Sequence, residues 1–224
     1  MTVSHDATSG SAAIINTATT TTWTHTPVGT PRGVIGLCGK GANFTDTITS
    51  WSYGGVALTR VRWQTRETTE LLAVFVYFLG ASIPTGAQEV SITTTGTNPS
   101  WPQIATVTAA ADTEVDVENG ADAGIIANPS LALSPTAQAM LYYICQSGLN
   151  TPVNTPESGT TLLVTRDCGA SSSHMGRKEV SGAGATTIGW TSASDDVCHA
   201  GLAIKEVAAA AASLLPQRRY LRRR

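Results

Sequence analysis

The run ELLAVFVYFL at residues 70–79 is the strongest apolar segment of the chain, and Gly80 follows it directly. The run is rich in β-branched and aromatic residues, which favour strands. A short segment that is apolar at nearly every position and is bounded by a turn residue is typical of a strand buried on both faces. We therefore predict a central strand of a β-sheet at these residues.

Weaker segments of the same kind lie on both sides of this run. Residues 32–38 are largely apolar, and residues 88–95 alternate between polar and apolar side chains, which predicts a half-exposed strand. Clusters of Gly and Pro separate these segments, and no internal repeat is visible in the sequence. The pattern predicts an all-β fold, an antiparallel β-sandwich of jelly-roll type. Further strands are predicted at 47–52, 56–63, 103–109, 113–118, 130–134, 139–146, 161–165, 185–190 and 198–206.

The sequence divides into three regions. Residues 1–22, which end in the low-complexity run TTTT, are predicted to be a flexible N-terminal segment. Residues 23–207 are predicted to form the sandwich domain. Residues 208–224 are predicted to be an Ala-rich linker, with a short helix that ends before Pro216, followed by an Arg-rich C-terminal arm.

The charge of the chain is divided unevenly. Five of its eleven arginines lie in the last seven residues, whereas the rest of the chain carries nine basic and sixteen acidic side chains. An acidic body with a cationic arm indicates binding to another molecule. The residues predicted to form this anchor arm are Arg218, Arg219, Tyr220, Leu221, Arg222, Arg223 and Arg224.

Three roles are open for the arm: contact with nucleic acid phosphates, docking on an acidic protein surface, or full solvation. Leu214 and Leu215, together with Tyr220 and Leu221, supply apolar anchors that a purely electrostatic tail would lack. These anchors favour docking on a protein. Nucleic acid is disfavoured because the arm is short and the acidic body would repel it.

An acidic segment, DTEVDVE at residues 112–118, falls on a predicted strand. Alternate residues of a strand share one face, so Asp112, Glu114, Asp116 and Glu118 are predicted to line one side. Such a face is solvated, or screened by a basic partner such as the arm of a neighbouring copy, or bound to calcium. One strand face alone spaces its ligands too widely for a single calcium ion. The four carboxylates are therefore a candidate acceptor for the arm.

Three aromatic residues flank turns rich in Gly and Pro: Trp51, Tyr53 and Trp101. Exposed aromatic side chains on a β-sandwich can stack on sugar rings, which makes these residues a candidate glycan-binding site. Packing of the rings in the core or at its rim is the interpretation favoured for these residues.

No convincing catalytic or metal-binding pattern is present. His174 lies six residues after Cys168, and Cys198 precedes His199, but neither spacing is that of a zinc site. The chain also contains Ser, His and Asp near residues 171–196, without the nucleophile-elbow motif of a hydrolase. We predict that the protein is not an enzyme and binds no cofactor.

The four cysteines include no CxxC pair. Cys38 and Cys145 lie in apolar runs and are predicted to be buried thiols, whereas Cys168 and Cys198 lie nearer strand ends and are candidates for a disulfide. No apolar run is long enough to span a membrane, and the first 22 residues lack the features of a signal peptide. We expect synthesis in a cytoplasm.

Several segments of the sequence resemble proteins encoded by tailed bacteriophages and prophages. The most specific are YGGVALTRV (53–61), IPTGAQEVSI (83–92) and NPSLALS (128–134), and the resemblance extends over about residues 22–207. It implies a structural role in a virion that is assembled in the host cytoplasm. It brings no catalytic residues with it.

Together these observations predict a non-enzymatic virion protein that decorates the head or neck, or is a minor capsid-associated protein, anchored by its arm. The alternative is a tail-fibre or surface module that binds carbohydrate or another receptor. Expected partners are other virion proteins and copies of the same chain, with no membrane and no nucleic acid.

Overall fold

The computed structural model describes residues 2–15, 19–41, 47–66, 71–96, 99–148, 155–167 and 171–207. Every regular element in these ranges is a β-strand, and the sheets are antiparallel throughout. The predicted all-β fold is therefore confirmed. The predicted C-terminal helix and the Arg-rich arm lie outside the described residues.

The first half of the chain forms two sheets, here named the inner N sheet and the outer N sheet. Their strands are β1 (Ser4–Gly10), β2 (Thr19–His25), β3 (Gly33–Lys40), β4 (Ile48–Tyr53), β5 (Val56–Ala57), β6 (Thr59–Arg66), β7 (Leu72–Leu79), β8 (Gln88–Thr94) and β9 (Ser100–Thr108). The inner N sheet has the order β1-β9-β3-β7-β6, and the outer N sheet has the order β2-β8-β4-β5. The strand predicted at residues 70–79 is β7, which lies between β3 and β6 and is buried over most of its length, as predicted.

The second half forms the inner C sheet and the outer C sheet. Their strands are β10 (Thr113–Ile126), β11 (Ser130–Leu133), β12 (Ala139–Ser147), β13 (Thr155–Pro156), β14 (Thr161–Asp167), β15 (Ser172–Val180), β16 (Thr186–Thr191) and β17 (Asp195–Glu206). The inner C sheet has the order β10-β17-β12-β15-β14, and the outer C sheet has the order β11-β16-β13.

The two halves repeat one topology. When the strands of the second half are numbered one to eight, the inner sheet has the order 1-8-3-6-5 and the outer sheet has the order 2-7-4. This is the strand order of a jelly roll with the fifth strand at the edge of the inner sheet. The first half has the same order, with β5 as an additional short strand after β4. The predicted jelly-roll-like sandwich is therefore present twice.

The repeat extends to individual residues and to irregularities of the strands. The first strand of each half has a bulge, between His5 and Ala7 in β1 and between Val115 and Val117 in β10. The edge strands β6 and β14 also have bulges at equivalent positions. Bulges are specific structural features of a fold. Because they recur at the same positions, the two halves agree in the register of their strands as well as in strand order.

Sequence reasoning found no repeat because the equivalent strands share few residue types. The registers align residues 33–41, GVIGLCGKG, with residues 140–148, MLYYICQSG. Only Cys38 with Cys145 and Gly41 with Gly148 are identical in these segments. Burial can be satisfied by many apolar residues of suitable size, so the fold is retained while the identities differ.

The four sheets stack in the order outer N, inner N, inner C, outer C, with an apolar core between each neighbouring pair. The central core joins the two halves through the faces of their inner sheets. In the core of the first half the indole of Trp51 lies on Gly36, and in that of the second half the indole of Trp190 lies on Gly176. The main residues of the central core are Ile35, Leu37, Val74, Val76, Tyr142, Ile144, Leu202 and Ile204.

The predicted flexible segment at residues 1–22 is wrong over most of its described length. β1 pairs with β9, and Val3 and Ile15 are buried. The run TTTT begins β2, which pairs with β8. Low complexity was misleading here because Thr is β-branched and favours strands.

Two further strands differ from the sequence-based expectations. β15 was not predicted, because most of its sequence, SSHMGRKEV, is polar, yet its residues Ser172–Gly176 are buried between β12 and β14. β10 continues through residues 119–126, beyond the strand predicted at 113–118, with a second bulge before Gly124. Gly124 has φ of 70°, a conformation that glycine adopts at little cost.

Candidate interaction surface

The acidic residues of β10 do not form one face. The bulge between Val115 and Val117 breaks the alternation on which the prediction rested. The side chain of Asp116 is almost completely buried, at 1% exposure, whereas that of Asp112 is 63% exposed. The predicted single acidic face is therefore wrong in its geometry.

Each of the four carboxylates is paired with a basic side chain of the body itself. The basic partners within the described residues belong to the same chain. The pairs are Asp112 with Arg32 at 3.2 Å, Glu114 with Lys205 at 3.7 Å, Asp116 with Lys205 at 2.7 Å, and Glu118 with Arg62 at 3.4 Å.

Asp116 is the most tightly held of these groups. Its carboxylate accepts hydrogen bonds from the backbone amide of Thr136 at 2.5 Å and from the hydroxyl of Thr136 at 2.6 Å. Burial alone would raise the pKa of Asp116, but the hydrogen bonds from Lys205 and Thr136 outweigh it, and the pKa lies below its usual value. This residue fixes the turn before β12 and is not available to a partner.

A second ion-pair cluster links the two halves. Arg66, at the end of β6, donates to Asp196 of β17 at 2.6 Å and to Asp122 of β10 at 2.8 Å. The side chains of Arg66 and Asp196 are 9% and 8% exposed. The hydrogen bond to Asp122 is the largest contribution that raises the pKa of Arg66. No sequence pattern indicated this cluster, because its three members are far apart in the chain.

The three residues of the candidate glycan site are buried. Trp51 and Tyr53 are 1% and 0% exposed and pack between the outer and inner N sheets, and Trp101 is 8% exposed. The guanidinium of Arg166 lies over the Trp101 ring at 4.8 Å. These rings cannot stack on a sugar, so this candidate site is corrected to core packing. Packing in the core, the interpretation favoured from the sequence, is what the structure shows for Trp51 and Tyr53.

Trp63 is the most exposed of the five tryptophans of the chain, at 44%. It lies on the edge strand β6, where its ring stacks against Phe75 and the guanidinium of Arg60 lies over it at 5.6 Å. One isolated ring of this kind is normal on a protein surface.

The residue types of a hydrolase meet in the second half without forming a triad. Nε2 of His174 lies 3.0 Å from the hydroxyl of Ser172, while Nδ1 lies 3.2 Å from the hydroxyl of Thr165. A triad would place a carboxylate at the second nitrogen. His174 is completely buried, and burial lowers its pKa to about 4.

Metal ligands do not converge in the part of the chain that the structure describes, where no group of three or more His, Cys, Asp or Glu side chains could hold an ion. Cys38 and Cys145 are buried, as predicted, and Cys198 lies in the central core. Burial raises the pKa of Cys145 to about 12, so this thiol is unreactive. Cys168, the suggested disulfide partner of Cys198, lies outside the described residues.

The arm residues Arg218–Arg224 are outside the described residues, which end at Val207. The backbone amide of Val207 donates to the carbonyl of Asp112 at 2.8 Å, and Val207 is 40% exposed. The last described residue therefore lies beside Asp112, the first residue of the acidic segment. Among the described residues, no helix is long and apolar enough to cross a membrane.

Comparisons of the chain with protein-family models, with curated proteins and with solved structures find no match.

Proposed function

We propose that the protein is a non-enzymatic structural subunit of a tailed-phage virion. In this proposal it decorates the head or neck, or is a minor capsid-associated protein, and its C-terminal arm anchors it. The two stacked jelly rolls form the body, and the arm makes the main contact with the particle.

The observation that carries this proposal is that the carboxylates of the acidic segment form ion pairs with basic side chains of the same chain. The four carboxylates that the sequence offers as an acceptor for the arm, those of Asp112, Glu114, Asp116 and Glu118, already have basic partners in the body. The counter-charge for the arm is therefore best supplied by another protein. Leu214, Leu215, Tyr220 and Leu221 would add apolar contacts to such an interface.

Two weaker arguments support the same function. The resemblance of residues 22–207 to phage and prophage proteins implies it directly. Jelly rolls also recur in viral capsid proteins, although they recur in lectins as well, so the fold is an argument by analogy only.

The test is the incorporation of arm variants into particles. Deletion of residues 217–224, or replacement of the five arm arginines by Gln, should abolish incorporation, because the anchor loses its charge. Replacement of all five by Lys retains the charge and should retain most of the incorporation. The thermal midpoint of the purified body should be the same in all variants. Incorporation of the deletion variant at the wild-type level would refute the anchor.

A further inference from the structure

The edges of the two inner sheets are not equally protected. An unpaired edge strand is a template for another strand, and proteins usually block it with charges, bulges or a covering segment. The edge strands are β1 and β6 in the inner N sheet and β10 and β14 in the inner C sheet. Three of these four are blocked.

The blocks on these three edges are of different kinds. β6 has Arg60, Arg62 and Arg66 and no acidic residue. β10 has its row of carboxylates and two bulges. β1 is covered by the turn after β2, because the carboxylate of Asp6 accepts hydrogen bonds from the amides of residues 28 and 29.

β14 is the least protected of the four among the described residues, since it has one bulge and its two charged residues stand only at its end. Its sequence is TLLVTRD, and the five residues Thr161–Thr165 are uncharged and favour strands. No described segment pairs with the outer edge of β14, on the side away from β15. Leu162 is 44% exposed and is one of the few large apolar side chains at the surface of the described residues.

The duplication makes the contrast with β6 direct, because β6 and β14 are the same strand of the repeated fold. The registers align Arg60 with Leu162 and Arg62 with Val164, one on each side of the shared bulge. The bulge therefore does not distinguish the two edges. The two edges differ in charge, because β6 has two arginines at the positions where β14 has two aliphatic residues.

The remaining edges belong to the outer sheets, and three of them are short, since β5, β11 and β13 have two to four residues. β2 has seven residues, and its end is tied to the inner sheet because the side chains of Trp23 and His25 are hydrogen-bonded to Ser9 of β1.

We propose that β14 is an assembly edge, which pairs antiparallel with β14 of a second copy of this chain. The pairing would join two inner C sheets into one continuous sheet across the dimer. It is an isologous contact of two identical edges, the usual arrangement of a homodimer. The proposal is independent of the virion role, since it follows from the edge alone.

The second copy is favoured over other occupants by the charge of the strand. β14 carries one Arg and one Asp, Arg166 and Asp167, so two copies of it bring together no net charge. Two copies of β6 would instead bring together the exposed Arg60 of each copy. An arm from a neighbour would instead place its five arginines beside a strand without net acidic charge, which gives no attraction.

The test is the self-association of the full chain, measured by sedimentation velocity over a wide range of protein concentrations. Leu162→Lys places a charge on the proposed edge and should raise the dissociation constant at least tenfold. Ile125→Lys is the matched control: it places the same charge on the blocked edge β10, at a residue that is 66% exposed, and should associate as the wild type does.

Hydrogen exchange provides a second measurement, which reports directly on the pairing of β14. Backbone amides of residues 161–165 should exchange more slowly with solvent at high concentration in the wild type but not in Leu162→Lys. If Leu162→Lys does not fold, Thr161→Lys, at an exposed residue of the same strand, replaces it. A wild-type chain that stays monomeric, or a Leu162→Lys variant that associates as tightly as the wild type, would overturn the proposal.

Discussion

Asp6 and Asp116 occupy the same position in the two halves, each at the bulge of the first strand of its half. Asp6 accepts a hydrogen bond from the amide of Gly29 at 2.8 Å, and Asp116 accepts one from the amide of Thr136 at 2.5 Å. In both cases the donor lies in the turn that leads into the third strand. In each half the bulge directs the aspartate side chain toward this turn, and the hydrogen bond from the turn holds it at the edge of the inner sheet.

Replacing Asp116 by Ala should destabilise the protein by about 1–3 kcal/mol, because the amide and hydroxyl of Thr136 lose a charged acceptor. Asp6→Ala should have an effect of the same sign in the first half. Asp112→Ala is the control on the same segment, since its side chain is 63% exposed, and should cost less than about 1 kcal/mol. Urea unfolding of the three variants measures the difference. Equal costs for Asp112→Ala and Asp116→Ala would contradict the role given to the bulge.

The equivalence of these two aspartates shows what the sequence could and could not predict. Apolar periodicity predicted β7, β4, β11 and β12 closely, because burial determines those patterns. It did not predict β15, whose buried residues are mainly Ser and His and are held by hydrogen bonds. The duplication was missed because it consists of strand order and bulges, which no residue type marks.

Removal of Arg66 should be among the most destabilising substitutions of a charged residue. Arg66→Ala removes the guanidinium that pairs with Asp196, whose side chain is 8% exposed, between the two halves. Breaking a buried ion pair from one side costs about 3–5 kcal/mol. Arg60→Ala, on the exposed part of the same strand, should change stability by less than about 1 kcal/mol. Thermal and urea unfolding test this, and similar values for the two variants would be evidence against the cluster as a link between the halves.

A methyl group added beneath either buried indole should destabilise its half. The Cβ of Gly36→Ala would lie 3.0 Å from the ring of Trp51, and that of Gly176→Ala would lie 3.0 Å from the ring of Trp190. Overpacking of this kind costs about 1–3 kcal/mol. Gly182→Ala meets no atom within 4 Å and is the control. Tryptophan fluorescence during unfolding provides the measurement, and if the two buried variants match the control, the ring packing described here is wrong.

Stability should fall as the pH decreases from about 6.5 to 4. Burial lowers the pKa of His174 and His199 to about 4, whereas an unfolded histidine has a pKa of about 6.5. The unfolded chain therefore binds protons in this window while the folded chain does not, so the free energy of unfolding decreases by up to about 1.4 kcal/mol per pH unit for each histidine.

Two other histidines act in the same direction. The pKa of His5 is lowered to about 4, by burial and then by Arg177, but this side chain is only partly buried and contributes less. Burial also lowers the pKa of His25. Urea midpoints at pH 7, 5.5 and 4.5 test the effect, and His174→Gln should flatten the dependence. A midpoint that does not change over this range would exclude neutral buried histidines.

The candidate sites were harder to predict than the fold. Alternation placed Asp112, Glu114, Asp116 and Glu118 on one side, but a single bulge separated them, and the basic side chains that neutralise them come from distant strands. Aromatic residues next to turns suggested a glycan site only as an alternative to core packing, because large rings near strand ends fill the core as readily as they reach solvent. Both sites depend on three-dimensional neighbours, which a local pattern does not contain.

The central claim is that the chain is a structural part of a virion, and immunogold labelling of purified particles with an antibody against the body tests it most directly. We expect dense label over the head or neck, which is lost when residues 217–224 are deleted. Particles without label, from cells that synthesise the chain, would contradict the virion role and leave a double jelly roll whose partner lies elsewhere.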